Sequence, residues 1–187
     1  MKGFVRTGTV VLGALALAAS AVLSAPAAAQ SSGGAPIFKE GYMDIGPTVG
    51  FGGIGSAGIA IGGRFERGIK KLPDLGDGTL GIEASIDLWN YNDRFGTLSY
   101  DFRYVNIGVT ANYHFAVKSN PKVDPFLGLG LGNSAVSTDY AGSYSSGIYF
   151  IGRAGIRYFY KPRLALYADA GAGASTLNVG LTFGIGK

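Results

Sequence analysis

The sequence predicts an all-β protein, an eight-stranded antiparallel up-and-down transmembrane β-barrel, and three observations indicate this fold class. Apolar residues alternate with polar or small residues in eight segments of the 187-residue chain, which is the period of a β-strand. Charged residues make up only 15% of the chain, against roughly 25% in a typical soluble domain. The chain has 32 glycines and no cysteine, which excludes a disulfide framework. Lipid rather than water is therefore expected to cover much of the folded surface.

Residues 1–29 have the pattern of a cleavable signal peptide. Lys2 and Arg6 are basic, residues 10–23 are apolar, and an Ala-rich site ends at Ala29. The apolar run is too short to span a bilayer, which favours cleavage over a retained anchor. We assign residues 30–41 to an N-terminal tail and residues 42–187 to the barrel. Removing Lys2 and Arg6 lowers the net charge from +4 to +2, which gives no support for nucleic-acid binding.

Eight segments after residue 42 alternate with period two and are predicted to be the strands. The apolar positions of the first are Met43, Ile45, Val49 and Phe51, and the other segments repeat the pattern. At about 10 residues per membrane-crossing strand, the mature chain accommodates eight strands with short connections. The predicted segments are 43–51, 59–66, 80–89, 104–115, 126–132, 147–158, 164–173 and 177–186.

The connections between these segments alternate between two types. Three are rich in Lys and Pro, and proline removes a donor from the ladder of a strand. The other four are rich in Gly, Ser, Tyr and Asp, so we expect the two types to lie on opposite sides of a membrane. The first type comprises residues 68–78, 117–125 and 161–163, and the second comprises residues 52–58, 92–99, 135–146 and 173–176.

The chemistry of the two strand faces indicates which one meets lipid. One face is continuously Leu, Ile, Val, Phe and Ala, and the other mixes Gly, Thr and Asn with a few charges. A soluble barrel with an apolar interior would need a densely charged exterior, which this second face does not provide. We therefore place the second face in the lumen, where opposite charges are expected to pair. The predicted lumen charges are Asp44, Arg64, Glu66, Glu83, Asp87, Arg153, Arg157 and Asp169.

The inward charges leave two interpretations open. A permanent plug that braces the barrel is favoured, because eight strands leave an interior just wide enough for side chains to fill. The alternative is a gated or selective pore lining. Neither interpretation requires a cofactor or a metal ion.

No residue pattern indicates catalysis. His114 is the single histidine and falls on the inward face, where a hydrogen-bonded lumen residue is the expected role. A Gly-x-Ser-x-Gly turn that would present a nucleophile is missing from the sequence. The glycine runs at residues 128–132 and 171–173 precede neither Lys-Ser/Thr nor a helix, so they indicate barrel packing rather than phosphate binding. We predict that the protein is not an enzyme.

Three segments have a recurring pattern of aromatic, glycine and aliphatic residues: 112–115 (NYHF), 125–132 (PFLGLGLG) and 152–158 (GRAGIRY). They resemble parts of the small outer-membrane β-barrel family that includes OmpA-, OmpX- and OmpW-type proteins. The resemblance implies a C-terminal assembly signal, which Asn178, Gly180, Phe183 and Ile185 match, although this chain ends in Gly186-Lys187 instead of an aromatic residue. It also implies that both termini are periplasmic, which makes residues 30–41 a periplasmic tail and the Lys/Pro connections periplasmic turns.

The resemblance implies a protein of the Gram-negative outer membrane with a structural or surface role in the cell envelope. The alternative is a small porin-like channel, or a barrel that binds small solutes, hydrophobic ones included. The implied partners are outer-membrane lipid and lipopolysaccharide, and the barrel-assembly machinery and periplasmic chaperones during biogenesis. Solute identity and oligomeric state do not follow from the sequence.

Overall fold

The computed structural model describes residues 35–53, 58–95, 98–138 and 146–185. These residues form eight antiparallel strands, and the last strand pairs with the first to close a barrel. The predicted signal peptide and its cleavage site lie outside the described residues. The strands are β1 (Met43–Phe51), β2 (Ile59–Leu72), β3 (Gly78–Phe95), β4 (Leu98–His114), β5 (Val123–Thr138), β6 (Gly147–Lys161), β7 (Leu164–Ala172) and β8 (Leu177–Gly184), with a short 3-10 helix at Pro73–Leu75.

Several strands are longer than the sequence predicts. The predicted connection 92–99 is wrong, because β3 continues to Phe95 and the ladder with β4 runs as far as the pair Phe95 and Leu98. Asp93 and Arg94 are therefore strand residues. β2 likewise extends to Leu72, and β5 extends to residue 138. Backbone pairing with a long neighbour stabilises these ends even where the side-chain alternation weakens.

The outward and inward faces follow the predicted alternation. Ile61 and Leu129 on the outer face are 68% and 64% exposed, whereas Trp89 and Tyr167 on the inner face are 0% and 2% exposed. The outer face forms an apolar band of the kind that lipid covers. Within the described residues, no helix is long and apolar enough to cross a membrane.

Glycines on the inner face give bulky neighbours room in the narrow lumen. A Cβ atom added at Gly155 would lie 2.3 Å from the ring of Phe126. A Cβ atom added at Gly128 would lie 2.2 Å from the Asn112 side-chain oxygen. Such contacts are far inside van der Waals distance, so these positions require glycine for as long as the neighbours keep their places.

The barrel has two ends, which we name by their connections. The turn end carries residues 73–77, 115–122 and 162–163 and the start of β1. The loop end carries the connections that follow β1, β3, β5 and β7. If the predicted orientation holds, the turn end faces the periplasm.

Part of the predicted N-terminal tail packs against the turn end. The Gly41 N–H donates to the Gly68 carbonyl, and the Gly68 N–H donates to the Tyr42 carbonyl, both at 2.9 Å. A Cβ atom at Gly68 would lie 2.2 Å from the Lys39 carbonyl oxygen, so the close approach of the two chain segments needs glycine there. Burial, with a smaller contribution from the Asp44 carboxylate, raises the pKa of Tyr42 to about 12.

Candidate functional site in the barrel lumen

The eight charges that the sequence places in the lumen all lie inside the barrel, and each is at most 7% exposed. Together with His114 and Asp124 they form two clusters, each with three carboxylates and two basic side chains. The turn-side cluster comprises Asp44, Glu66, His114, Asp124 and Arg157, and the loop-side cluster comprises Arg64, Glu83, Asp87, Arg153 and Asp169.

Arg157 is the centre of the turn-side cluster. Its Nη1 atom donates to Oδ2 of Asp44 on β1 at 3.1 Å, and its Nη2 atom donates to Oε2 of Glu66 on β2. Asp124 on β5 lies farther away, 3.9 Å from Nη1. Arg157 is on β6, four positions from β2 in the ring of eight strands. The contact with Glu66 therefore joins opposite walls of the barrel.

His114 links two carboxylates of the same cluster. Its Nδ1 atom lies 2.9 Å from Oδ2 of Asp124, and its Nε2 atom lies 2.8 Å from Oε1 of Glu66. The side-chain amide of Asn112 donates to that same Glu66 oxygen at 2.9 Å. Because an imidazole has two N–H donors only when it is protonated, these contacts need either an imidazolium or a proton on one of the carboxyls.

Phe38 covers the turn-side cluster from the N-terminal segment. Its side chain is 2% exposed, and its ring stacks on the His114 ring at a centroid distance of 3.8 Å. The Arg157 guanidinium carbon lies 4.9 Å from the Phe38 ring, 5.6 Å from the Phe126 ring and 5.8 Å from the Tyr167 ring. Arg157 thus contacts carboxylates and three aromatic faces at once, which compensates for its removal from water.

Ion pairs in the loop-side cluster join neighbouring strands. Arg64 on β2 lies 3.1 Å from Asp87 and 3.6 Å from Glu83, both on β3. Arg153 on β6 donates to both carboxylate oxygens of Asp169 on β7, at 3.0 and 3.1 Å. The ion pairs of this cluster therefore brace the wall locally.

Neutral side chains connect the loop-side pairs. The Asn178 amide donates to Asp169 at 2.8 Å and accepts from Arg64 at 3.4 Å. The Tyr167 hydroxyl contacts the carboxylate of Asp169 and lies 3.4 Å from that of Glu83. Since the Tyr167 ring also faces Arg157, this side chain touches both clusters.

The sequence analysis did not assign Asp124 or Phe38 to the lumen. Asp124 lies on the inward parity of β5, two residues before Phe126, but Pro121 and Pro125 indicated a break between strands there. Extending the alternation two positions back from Phe126 would have identified Asp124 as a lumen residue. Phe38 belongs to no alternating segment, so no periodicity could have predicted its position.

The four residues of the predicted assembly signal lie on or next to β8. Asn178 and Gly180 face inward, and Asn178 belongs to the hydrogen-bond network of the lumen. Phe183 and Ile185 face outward and are 43% and 53% exposed. The two outward side chains are the accessible part of the motif.

Some buried polar atoms of the lumen have no hydrogen-bond partner among the described residues. They include Trp89 Nε1, Asn106 Nδ2, Thr110 Oγ1 and Thr48 Oγ1. Asn106 pairs in the ladder with Asp87, and Thr110 pairs with Glu83, so these atoms lie at the level of the loop-side cluster. Buried polar groups of this kind are usually satisfied by water or a ligand.

Comparison with known proteins gives a shared fold from solved structures alone. No protein-family model matches the chain, and no curated protein sequence does. The outer membrane protein OprG from Pseudomonas aeruginosa superposes with a TM-score of 0.53 and 12% identity, over 81% of this chain and 100% of that chain. This similarity supports the same fold and carries no residue roles.

Two further solved structures are similar at lower scores. Neisserial surface protein A has a TM-score of 0.47 and 21% identity, over 77% of this chain and 95% of that chain. The Yersinia pestis outer membrane protein Ail, in a phospholipid bilayer nanodisc, has a TM-score of 0.48 and 17% identity, over 78% of this chain and 100% of that chain. The predicted eight-stranded barrel, and the resemblance to small outer-membrane barrels, are confirmed at the level of fold.

Proposed function

From the fold shared with small outer-membrane barrels, we propose that this chain is a non-enzymatic outer-membrane protein of a Gram-negative bacterium, exported by a cleaved signal peptide. Its role is structural or at the cell surface, and its own side chains plug its lumen. The observation that carries the plugged lumen is the contact of Arg157 with Glu66 across the barrel, beneath Phe38. A brace that crosses the full lumen occupies the space that a solute would need.

The environment of His114 supports a role without catalysis. Both ring nitrogens are held by the carboxylates of Glu66 and Asp124. A histidine that activates a nucleophile needs one nitrogen free to accept a proton from it. The stacked rings of Phe38 and Phe126 cover the imidazole as well, and His114 is 2% exposed.

A small channel or solute-binding barrel is the second candidate. It is favoured by the unpartnered polar atoms near the loop-side cluster, such as Trp89 Nε1 and Asn106 Nδ2. Such atoms need water, and water in the lumen beside paired charges would provide a polar path. In this case the ion pairs of Arg153 and Arg157 would act as constrictions.

Conductance of the purified barrel in a planar bilayer separates the two candidates. We expect no resolvable current steps from the wild-type protein, because the turn-side cluster and Phe38 close one end. Arg157→Ala and Arg153→Ala should then each introduce or enlarge current steps if these guanidiniums fill the lumen. Wild-type steps of defined size would contradict the plug and support the channel.

A folding control accompanies each variant. The closed barrel should migrate differently in a denaturing gel before and after boiling, and only variants that keep this difference are compared. Fractionation of a Gram-negative host that expresses the chain tests the location, because an outer-membrane barrel should appear in the outer-membrane fraction. We also propose that Phe183 and Ile185 present the assembly signal to the barrel-assembly machinery, which their exposure supports.

A further inference from the structure

Basic side chains are concentrated at one end of the barrel. Every lysine among the described residues lies at the turn end, together with Arg67 and Arg163. All of these side chains are exposed, and three acidic residues at the same end leave an excess of five positive charges. We call this set the basic collar; it comprises Lys39, Arg67, Lys70, Lys71, Lys118, Lys122, Lys161 and Arg163, and the acidic residues are Glu40, Asp74 and Asp77.

The loop end has the opposite balance. The segments around its connections contain Arg94 and Arg103 against Asp93, Asp101 and Asp139, a net charge of −1 by sequence, and Asp139 lies outside the described residues. Lysine is missing from the described residues of this end. The difference between the ends is therefore six charges on a chain whose predicted mature net charge is +2.

The collar lies directly beside the apolar band. Tyr160, which precedes Lys161, is 67% exposed, and Ile69, which precedes Lys70, is 46% exposed. Tyr158 and Tyr160 form an edge-to-face pair on this outer surface, with centroids 6.0 Å apart. Exposed aromatic rings of this type occupy the headgroup level of a bilayer. Their neighbours in the collar would therefore lie at the phosphate level.

Acidic side chains of the protein neutralise little of the collar. Lys71 and Lys118 share the single carboxylate of Asp77, at 3.2 and 2.7 Å. Lys70 and Lys122 have no ion pair with another side chain in the described part of the protein. Cations that remain unpaired beside an apolar band are available to an external anion.

A groove at the same end offers space for such an anion. It has a volume of about 500 Å³ and lies between the N-terminal segment and the first residues of β3. Its lining has three lysines, Lys39, Lys71 and Lys118, against two acidic residues, Glu40 and Asp77, and Pro36 and Ala116 give it an apolar part. The lysines leave this groove with an excess of one positive charge, which favours a lipid phosphate, and its apolar residues suit the start of an acyl chain.

We propose that the basic collar binds the phosphate groups of anionic phospholipids in the leaflet at the turn end. The collar then holds the barrel at a fixed depth and enriches anionic lipid around it. Basic residues near a membrane surface attract anionic lipids through charge, over a distance that salt shortens. The inference rests on the proposed function in one respect, that the barrel lies in a membrane.

The cysteine-free chain permits a direct test with one fluorescent label per molecule. Ser119→Cys places the label in the collar, and Gly147→Cys places it at the loop end, where an added Cβ atom meets nothing within 4 Å. Each labelled barrel is reconstituted in phosphatidylcholine bilayers that contain a small fraction of nitroxide-bearing lipid. The nitroxide is attached near the headgroup of either phosphatidylglycerol or phosphatidylcholine, and quenching by the two is compared.

We expect phosphatidylglycerol to quench the Ser119 label at least about twofold more than phosphatidylcholine at low salt. The ratio should fall to one in about 1 M salt, where charges are screened within a few ångströms. The ratio of the two quenching values should also fall in a triple variant with Lys70→Gln, Lys122→Gln and Lys161→Gln. It should persist when the same three lysines are replaced by arginine, which keeps the charge. The Gly147 label should be quenched equally by both lipids.

The outcomes distinguish this inference from the proposed function. Equal quenching of the Ser119 label by the two lipids overturns the collar inference and leaves the barrel in its membrane. If neither lipid quenches either label, the protein is not in the bilayer, and the proposed function fails with the inference. A preference that survives both high salt and the Gln triple variant would also overturn it, because charge would not be the cause.

Discussion

The two clusters inside the barrel have the same numbers of carboxylates and basic side chains, but they connect different strands. In the loop-side cluster each ion pair joins adjacent strands, β2 with β3 or β6 with β7. In the turn-side cluster Arg157 on β6 contacts β1 and β2, and His114 on β4 contacts β2. The ion pairs of the first cluster reinforce the wall, and only neutral side chains, such as Tyr167 on β7 beside Glu83 on β3, connect it across the lumen. In the second cluster the ion pairs themselves connect opposite walls.

This difference shows why equal charge counts do not imply equal mechanical roles. Adjacent strands are already held by backbone ladders, so an ion pair between them adds to an existing connection. Opposite strands share no ladder, so the contact between Arg157 and Glu66 is a connection of a different kind. Loss of the turn-side cluster should therefore affect the whole barrel, and loss of the loop-side cluster should have a more local effect.

The largest expected effect comes from Arg157→Met. The methionine keeps the apolar stem but removes the guanidinium that pairs with Asp44 and joins Glu66 to the opposite wall. Glu66 keeps its contacts with His114 and Asn112, whereas the buried Asp44 loses its cation, so the free energy of unfolding should fall by about 3–5 kcal/mol. Urea unfolding of the reconstituted barrel measures this free energy of unfolding. The signal is the fluorescence of Trp89, the single tryptophan. Trp89 is fully buried in the lumen, so its emission should change when the barrel opens.

Arg153→Met is the matched control in the loop-side cluster. Asp169 keeps its contacts with Asn178 and Tyr167 in this variant, so the expected loss is about 1–3 kcal/mol. Equal losses for the two variants would contradict the distinction between the clusters.

Gly81→Ala should have an intermediate effect. The added Cβ atom would lie 2.4 Å from the Oε1 atom of Glu66 and 3.2 Å from the Phe38 ring, so the carboxylate must move away from its partners. We expect a loss of about 1–3 kcal/mol in the same unfolding measurement. Gly58→Ala, where nothing lies within 4 Å, should change the stability by less than about 0.5 kcal/mol.

A double variant makes the Gly81 prediction sharper. If Gly81→Ala acts by displacing Glu66, it should lower the free energy of unfolding by less in the Arg157→Met background. The contact between Glu66 and Arg157 is already lost in that background. Simple additivity of the two losses would show that the alanine acts through packing against Phe38 instead.

The smallest expected effect concerns the ion pairs of Asp77 with Lys71 and Lys118 on the surface of the turn end. Hydrogen bonds from Lys118 and Lys71 hold the pKa of Asp77 below its usual value of 3.8. The ionised Asp77 carboxylate therefore stabilises the fold fully above its usual pKa. This stabilisation is lost as the pH falls through the lower pKa that Asp77 has in the folded protein. Asp77→Asn should lower the urea midpoint slightly at neutral pH and not at all in strong acid, where both proteins carry an uncharged side chain. A large loss at neutral pH would mean that exposed pairs matter as much as the lumen clusters.

The sequence predicts the barrel and its lumen charges better than it predicts their partners. Inward parity identified Arg153, Arg157 and Asp169 because burial of one sheet face imposes a strict period of two. The sequence could not show that Arg153 pairs locally while Arg157 crosses the lumen, since partner choice depends on strand register and side-chain length. The position of Phe38 depends on how an irregular segment folds back, which no period encodes.

The pairing of Arg157 with Asp44 has a consequence for assembly. These residues are 113 positions apart in the chain, on strands that become close only when β8 pairs with β1 and closes the sheet. Before closure, the inward face of an open sheet in lipid would carry charges that lack their counter-ions, which is costly in hydrocarbon. Formation of the cross-lumen pair and closure of the last seam are therefore one cooperative event, and the interior charges penalise an incomplete barrel.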